Sequence, residues 1–146
     1  MERRILCFHK QYAKHYVIGF IYERNLDANE GQIYKVEQIA ELPRPYKNVE
    51  VFVQEKYKIA GEKPGSGNTE NIGSYKTSNM DYLIAGEGPF SMLGMKVFEQ
   101  YWSGYPKYRA MTKDYTSLEE YFTFCEKKGL DVDELRRKYV YWKTIH

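Results

Sequence analysis

The sequence predicts an α+β fold, an N-terminal antiparallel sheet of four to five strands with two to three C-terminal helices packed on one face. Three features predict it. Val49, Val51, Val53, Tyr57 and Ile59 alternate with Glu50, Gln54, Lys56 and Lys58, the two-residue period of a strand with one wet face. Phe90, Leu93, Val97, Phe98 and Tyr101 recur with the period of an amphipathic helix. Strand-like stretches come first and helix-like ones afterwards, the order of a segregated α+β domain.

The elements follow in chain order. Residues 3–9 are a short β-rich run, "KQYAK" is a connection, and residues 15–23 are dense in β-branched and aromatic side chains, so the two runs make a hairpin. Residues 24–31, "RNLDANEG", are turn-forming, because Asn, Asp and Gly reach positive φ or bond their own backbone. Residues 32–42 fit both periods. Their place between strands favours a strand, and Pro43 and Pro45 end it.

Residues 49–60 are the clearest strand, and residues 80–85 return as a short one. Between them, residues 61–79 read as a flexible loop rich in Gly, Asn and Ser, too long for an idle connection. Pro89 suits the first position of the helix that follows, and "SGYP" at 103–106 stops it. Ser117 with Glu120, and Asp131 with Glu134, are capping boxes. They open helices whose apolar stripes are Leu118, Tyr121, Phe122 and Cys125, then Leu135, Tyr139 and Trp142, with Gly129 as the stop between them.

Composition narrows the function. A chain of 146 residues suits a single domain, 1–146, that buries roughly two thirds of its unfolded surface without a staple. Cys7 and Cys125 are far apart with no metal-ligand spacing, so a reduced thiol pair and no metal are expected. The chain has no apolar run of membrane-spanning length and no signal-peptide pattern, which points to a cytoplasmic protein and no membrane partner. A net charge of +2 does not argue for nucleic acid, yet residues 127–146 carry six Lys or Arg against three carboxylates. The lean towards Lys, Tyr, Ile, Asn and Phe reflects AT-rich codons, as in a phage or mobile element.

Candidate chemistry is incomplete at each place. The turn at Gly86, Gly88, Phe90 and Ser91 leads into a helix N-terminus, where free N–H groups favour an anion. Pro89 removes one donor there and Glu87 repels phosphate, so the turn is a weak anion site. His9 and His15 flank the "KQYAK" turn and offer acid–base or metal chemistry without a third partner. The acid-x-Lys spacing of a metal nuclease strand is missing from residues 49–60; Glu126 and Lys128 show it, but on a helix. No GxSxG is present, and the C-terminal helical pair places acids where a recognition helix needs donors.

The expected function is therefore a small non-enzymatic binding protein, an inhibitor or adaptor with a protein partner and no cofactor. Its 15 tyrosines give contact area at low rotamer cost. The candidate contacts are Lys63 and Lys76 in the loop, and Arg136, Arg137, Lys138, Tyr141 and Lys143 in the basic-aromatic C-terminus. The alternatives are nucleic-acid or nucleotide binding through that surface, and a small phosphodiesterase or metal hydrolase using His9 and His15. The sequence leaves the oligomeric state open.

Overall fold

The computed structural model describes residues 14–26, 31, 33–65, 71–107 and 110–146. The chain divides into two compact units, Ile18–Val53 and Met1–Val17 with Gln54–His146.

The smaller unit is built on a ribbon. β1 (Tyr16–Arg24) pairs with β2 (Tyr46–Glu55). Asn25 N donates to Pro45 O at 2.8 Å near one end and Lys56 N to His15 O at 2.8 Å near the other, so the strands are antiparallel. Between those two bonds ten residue steps of β1 face eleven of β2. Asn48, at φ 53°, takes up the extra residue as a bulge, a conformation Asn tolerates better than most. A 3₁₀ helix at Val36–Glu41 lies in the connection, started by a hydrogen bond from Lys35 N to Gln38 Oε1 at 3.1 Å. Among the described residues 33–42, the strand expected over residues 32–42 is therefore replaced by this helix. Gln38 closes a local turn that competes with extended pairing.

In the larger unit a single helical turn, α1 (Lys56–Ile59), follows the end of β2 and leads into β3 (Ala60–Pro64) and β4 (Ile72–Ser74). β3 and β4 pair antiparallel, with Ala60 opposite Ser74 and Pro64 opposite Ile72. Four helices of uneven length follow, α2 (Met80–Ala85), α3 (Pro89–Leu93), α4 (Met95–Gly104) and α5 (Leu118–Lys127), and α6 (Asp133–Ile145) closes the unit.

The α+β class holds, but among the described residues the single sheet of four to five strands does not form. Two sheets of two strands stand in its place. The long strand expected over residues 49–60 is cut at Lys56 by α1, whose Tyr57 and Ile59 happen to continue the alternation of β2. Residues 80–85 are helical because the Asn79 side chain accepts from Asp81 N at 3.0 Å and caps that turn. The helix expected after Pro89 is two helices, α3 and α4, separated at Gly94, which turns the chain at φ 91°. The first strand of the expected N-terminal hairpin lies outside the described residues.

The core of the larger unit is aromatic. α3 packs against α1, α4, α6 and β3, and its Phe90 is fully buried between the Phe98 and Tyr101 rings of α4. Phe122 and Leu118 of α5 are equally inaccessible, and burying each such side chain stabilises the fold by roughly 2–3 kcal/mol. Tyr101 and Tyr115 are buried without loss because both hydroxyls are bonded. Tyr101 Oη donates to Glu62 O and Tyr115 Oη to Tyr101 O, each at 2.7 Å. Among the described residues, no helix is long and apolar enough to cross a membrane.

Candidate functional site

The β3–β4 hairpin sets the geometry of the site. Gly65 N donates to Asn71 O at 2.9 Å and Tyr75 N to Ile59 O at 3.0 Å, closing the ribbon on both sides of its irregular register. A Cβ at Gly73 would lie 2.8 Å from both Gly65 Cα and Lys63 O, so only glycine lets the two strands approach this closely. Lys63 and Lys76 flank this bare stretch of backbone, both exposed. Both line one cavity of about 410 Å³, together with Ser74, Tyr75, Tyr139 and Trp142.

Aromatic rings wall one side of the cavity. The rings of Tyr139 and Trp142 stack at 6.0 Å with 5° between their planes, and Tyr75 meets Trp142 edge-on at 6.0 Å. Trp142 Nε1 donates to Glu87 O at 2.7 Å, which anchors α6 to the turn before α3. Glu62 anchors β3 in turn. Its carboxylate accepts from Leu118 N at 2.9 Å and from Tyr139 Oη at 3.2 Å, tying the hairpin to the start of α5 and the middle of α6.

This environment fixes the protonation of the two tyrosines. Burial, and then the charge of Glu87, pushes the Tyr75 hydroxyl up to about 12. Burial, then the charge of Glu62 and the hydrogen bond to it, raises the Tyr139 hydroxyl as well. Tyr75 Oη is buried with no hydrogen-bond partner among the described residues.

The other sequence candidates are dispersed or already engaged. On α6, Arg136 pairs with Glu126 at 2.8 Å, Lys138 with Glu134 at 2.7 Å, and Lys143 with Glu119, so much of that basic surface is neutralised. Arg137 Nε donates to Asp133 O at 3.4 Å, and Tyr141 is exposed beside it. Glu126 is occupied by Arg136, and the Lys128 ammonium lies over the Phe124 ring, so the acid-x-Lys pair is structural. By contrast, neither Lys63 nor Lys76 is paired with a carboxylate among the described residues.

The turn at 86–91 has spent most of its donors. Gly86 N donates to Leu83 O, Gly88 N to Lys58 O at 2.7 Å, and Ser91 N to Gly88 O, while Phe90 is fully buried. It joins two helices rather than a strand to a helix, and it locks α3 onto α1. His9 lies outside the described residues, and His15 is exposed at the foot of β1. Among the described residues, no three His, Cys, Asp or Glu side chains come together in a way that could hold a metal ion.

Sequence reasoning missed Tyr75, Tyr139 and Trp142 as parts of the cavity. The apolar stripe of α6 marked Tyr139 and Trp142 as inward, and nothing in the spacing distinguishes a cavity wall from a core.

An α+β chain with a glycine-pinched ribbon and two unpaired lysines on its rim falls, by comparison with known proteins, in the class of restriction endonucleases. Residues 2–126 match the family Restriction endonuclease EcoRV, and the chain belongs to that family. It is 37% identical over 113 residues to the type II restriction enzyme EcoRV of Escherichia coli, which covers 76% of this chain and 45% of that relative. The chain thus spans less than half of the relative's length.

Family membership overturns the expected function. The matching family model and the similar curated protein are both restriction endonucleases, neither an inhibitor nor an adaptor, so the reading as a non-enzymatic protein with a protein partner is withdrawn. The expectation failed because it required a complete catalytic constellation within 146 residues, whereas the relative's activity belongs to a chain more than twice as long as the aligned stretch.

Proposed function

We propose that this chain forms a DNA-contacting part of an EcoRV-type restriction endonuclease, and that the β3–β4 hairpin carries the contact. The carrying observation is the pair of exposed lysines, Lys63 and Lys76, which face one cavity and have no carboxylate partner among the described residues. An ammonium already paired with a carboxylate has little to offer a phosphate; an unpaired one releases bound counterions when it meets the duplex. A two-stranded ribbon also has a width that the major groove admits, and the backbone at Gly65 and Gly73 carries no side chain to hold it off. In this reading the described residues bind and orient the duplex, and the hydrolytic groups lie outside them.

Salt dependence tests the reading. Affinity for a short fluorescent duplex should fall with ionic strength, and each lost phosphate contact should flatten the log–log slope by about 0.9. The Lys63→Ala/Lys76→Ala variant is expected to flatten it by about 2. Lys138→Ala, which removes a cation already paired with Glu134, should leave the slope in place. An unchanged slope in the double variant would exclude the hairpin as the contact.

A further inference from the structure

We propose that His146 and Glu87 form a proton-operated latch, closed when the imidazole is protonated, that holds the end of α6 and its Trp142 against the β3–β4 hairpin. The contacts of the imidazole make the case. His146 Nδ1 lies 3.2 Å from Trp142 O, and His146 Nε2 lies 3.0 Å from Glu87 Oε2. A carbonyl oxygen and a carboxylate oxygen can only accept. A neutral imidazole carries one N–H, so one of its nitrogens would turn a lone pair towards an oxygen, whereas the imidazolium donates at both. The ring has little room to turn away, since its side chain is 8% exposed.

The latch closes on a fixed anchor. Glu87 sits in the turn between α2 and α3, where its own N–H donates to Tyr82 O at 2.9 Å and that of Gly88 to Lys58 O at 2.7 Å. α6, which lies past the family match at residues 2–126, grips this residue twice: Trp142 Nε1 donates to its carbonyl at 2.7 Å, and His146 meets its carboxylate. Rings pass the grip to the hairpin. Trp142 is flanked along α6 by Tyr139, at 6.0 Å and 5°, and by His146, at 5.2 Å and 20°. Tyr139 is bonded in turn to Glu62 of β3, and Tyr75, just past β4, meets Trp142 edge-on. Loss of one imidazole proton therefore undoes one side of the stack that walls the hairpin's cavity.

The neighbouring groups leave the switch to the imidazole. Tyr82 of α2 meets its ring edge-on at 4.7 Å, Tyr75 has its hydroxyl pushed up to about 12, and Lys143 on α6 is paired with Glu119 of α5. Imidazole is the side chain whose charge changes between about pH 5 and 8, so the latch opens as pH rises through that interval. The opening is local. It frees the last turn of α6 and leaves the buried core in place, so the thermal midpoint keeps its plateau. The switch itself needs no DNA, whereas its effect on duplex binding rests on the endonuclease reading, because the cavity that Trp142 walls carries Lys63 and Lys76.

The test compares the full chain at about pH 6 and about pH 8, without DNA, with its histidine rings labelled at nitrogen. Ring-nitrogen NMR should show both nitrogens of His146 protonated at the lower pH and one at the higher, with His146→Gln identifying the signal. Over the same interval, exchange of the Trp142 Nε1 proton, corrected for its intrinsic pH dependence, should quicken about tenfold, the worth of one hydrogen bond to a charged group. His146→Gln and Glu87→Gln should each exchange at one corrected rate at both pH values. A His146 ring with one proton throughout, an exchange rate that ignores its titration, or a step that persists in His146→Gln would overturn the latch. Duplex affinity at constant ionic strength should drop across the interval in the parent and stay level in His146→Gln; a level affinity in a parent that switches would overturn the coupling to the hairpin. Lys63→Ala/Lys76→Ala should switch normally while losing duplex affinity. A parent whose latch switches but which binds no duplex at either pH would fault the DNA reading alone.

Discussion

Glu62 is the residue through which the hairpin is most directly coupled to the helices, and removing its carboxylate should show this. Glu62→Ala deletes the acceptor of two hydrogen bonds, from Leu118 N at 2.9 Å and from Tyr139 Oη at 3.2 Å. The first satisfies a donor at the start of α5, and the second keeps a buried hydroxyl bonded. Hydrogen bonds to a charged group contribute about 1.5–3 kcal/mol, and an orphaned buried hydroxyl costs about 1–3 kcal/mol. These overlap, because the second bond is the one whose loss orphans Tyr139. A net destabilisation of about 3 kcal/mol follows for Glu62→Ala, about 1 kcal/mol for Glu62→Gln, which keeps a side-chain oxygen, and about 1 kcal/mol for Tyr139→Phe. The assay is urea unfolding followed by tryptophan fluorescence. In a double-mutant cycle, Tyr139→Phe should cost less in the Glu62→Ala background, where the hydroxyl has already lost its acceptor, leaving a coupling of about 1 kcal/mol. Full additivity, or a Glu62→Ala effect below about 0.5 kcal/mol, would refute the lock.

Two further outcomes are expected. Gly88→Ala would place a Cβ 2.6 Å from Lys58 O, a backbone atom that cannot step aside, so α3 must part from α1 and the thermal midpoint should fall; an unchanged midpoint would show that the turn yields. Acid should destabilise the fold. Glu119 is held below the ordinary carboxylate value of 4.5 by its hydrogen bond to Lys143, Glu120 by hydrogen bonds from Thr116, and Glu134 by Lys138. A depressed folded value means stability that is present above pH 4.5 and lost as pH falls through the folded values. Tyr75 and Tyr115, both raised by burial to about 12 from an ordinary 10.0, act in the opposite sense and give stability lost between those pH values. Thermal midpoints across pH should therefore form a plateau with both shoulders, and a midpoint that climbs below pH 4 would contradict the assignment.

Elements whose signals were local could be read from the sequence. Ser117 accepts from Glu120 N at 3.3 Å as the capping box requires, and Asp131 accepts from Asp133 N at 3.0 Å, so the starts of α5 and α6 fall close to where their side chains placed them. β1 was equally visible, because its β-branched and aromatic run has no competing helical stripe. Where two periods coincide the reading failed. Tyr57 and Ile59 prolong the alternation of β2 into a helical turn, and residues 80–85 are too short and too apolar for periodicity to choose between strand and helix. The decisive signal there was Asn79, a cap one residue before the turn.

The candidate site divides along the same line. Lys63 and Lys76 stood out because they bracket a segment rich in glycine and asparagine. The pairing of Lys138 with Glu134 could have been foreseen from their four-residue spacing, but those of Arg136 with Glu126 and Lys143 with Glu119 depend on how α5 and α6 pack. The alternation in β2 implied a covered face, yet Val49, Val51 and Val53 are exposed among the described residues. A binary pattern marks a face as apolar; it does not record whether that face is covered.

The placement of the two tryptophans gives the protein an internal optical label. Trp102 lies in α4 and Trp142 in α6, and no other tryptophan occurs in the chain, so indole emission originates wholly in the larger unit. The ribbon unit carries Tyr22, Tyr34 and Tyr46 but no indole. Selective excitation of tryptophan thus follows the melting of the helical unit alone, while far-ultraviolet dichroism sums over both. Any gap between the two curves measures how far the ribbon unfolds on its own schedule, without a dye or an engineered probe.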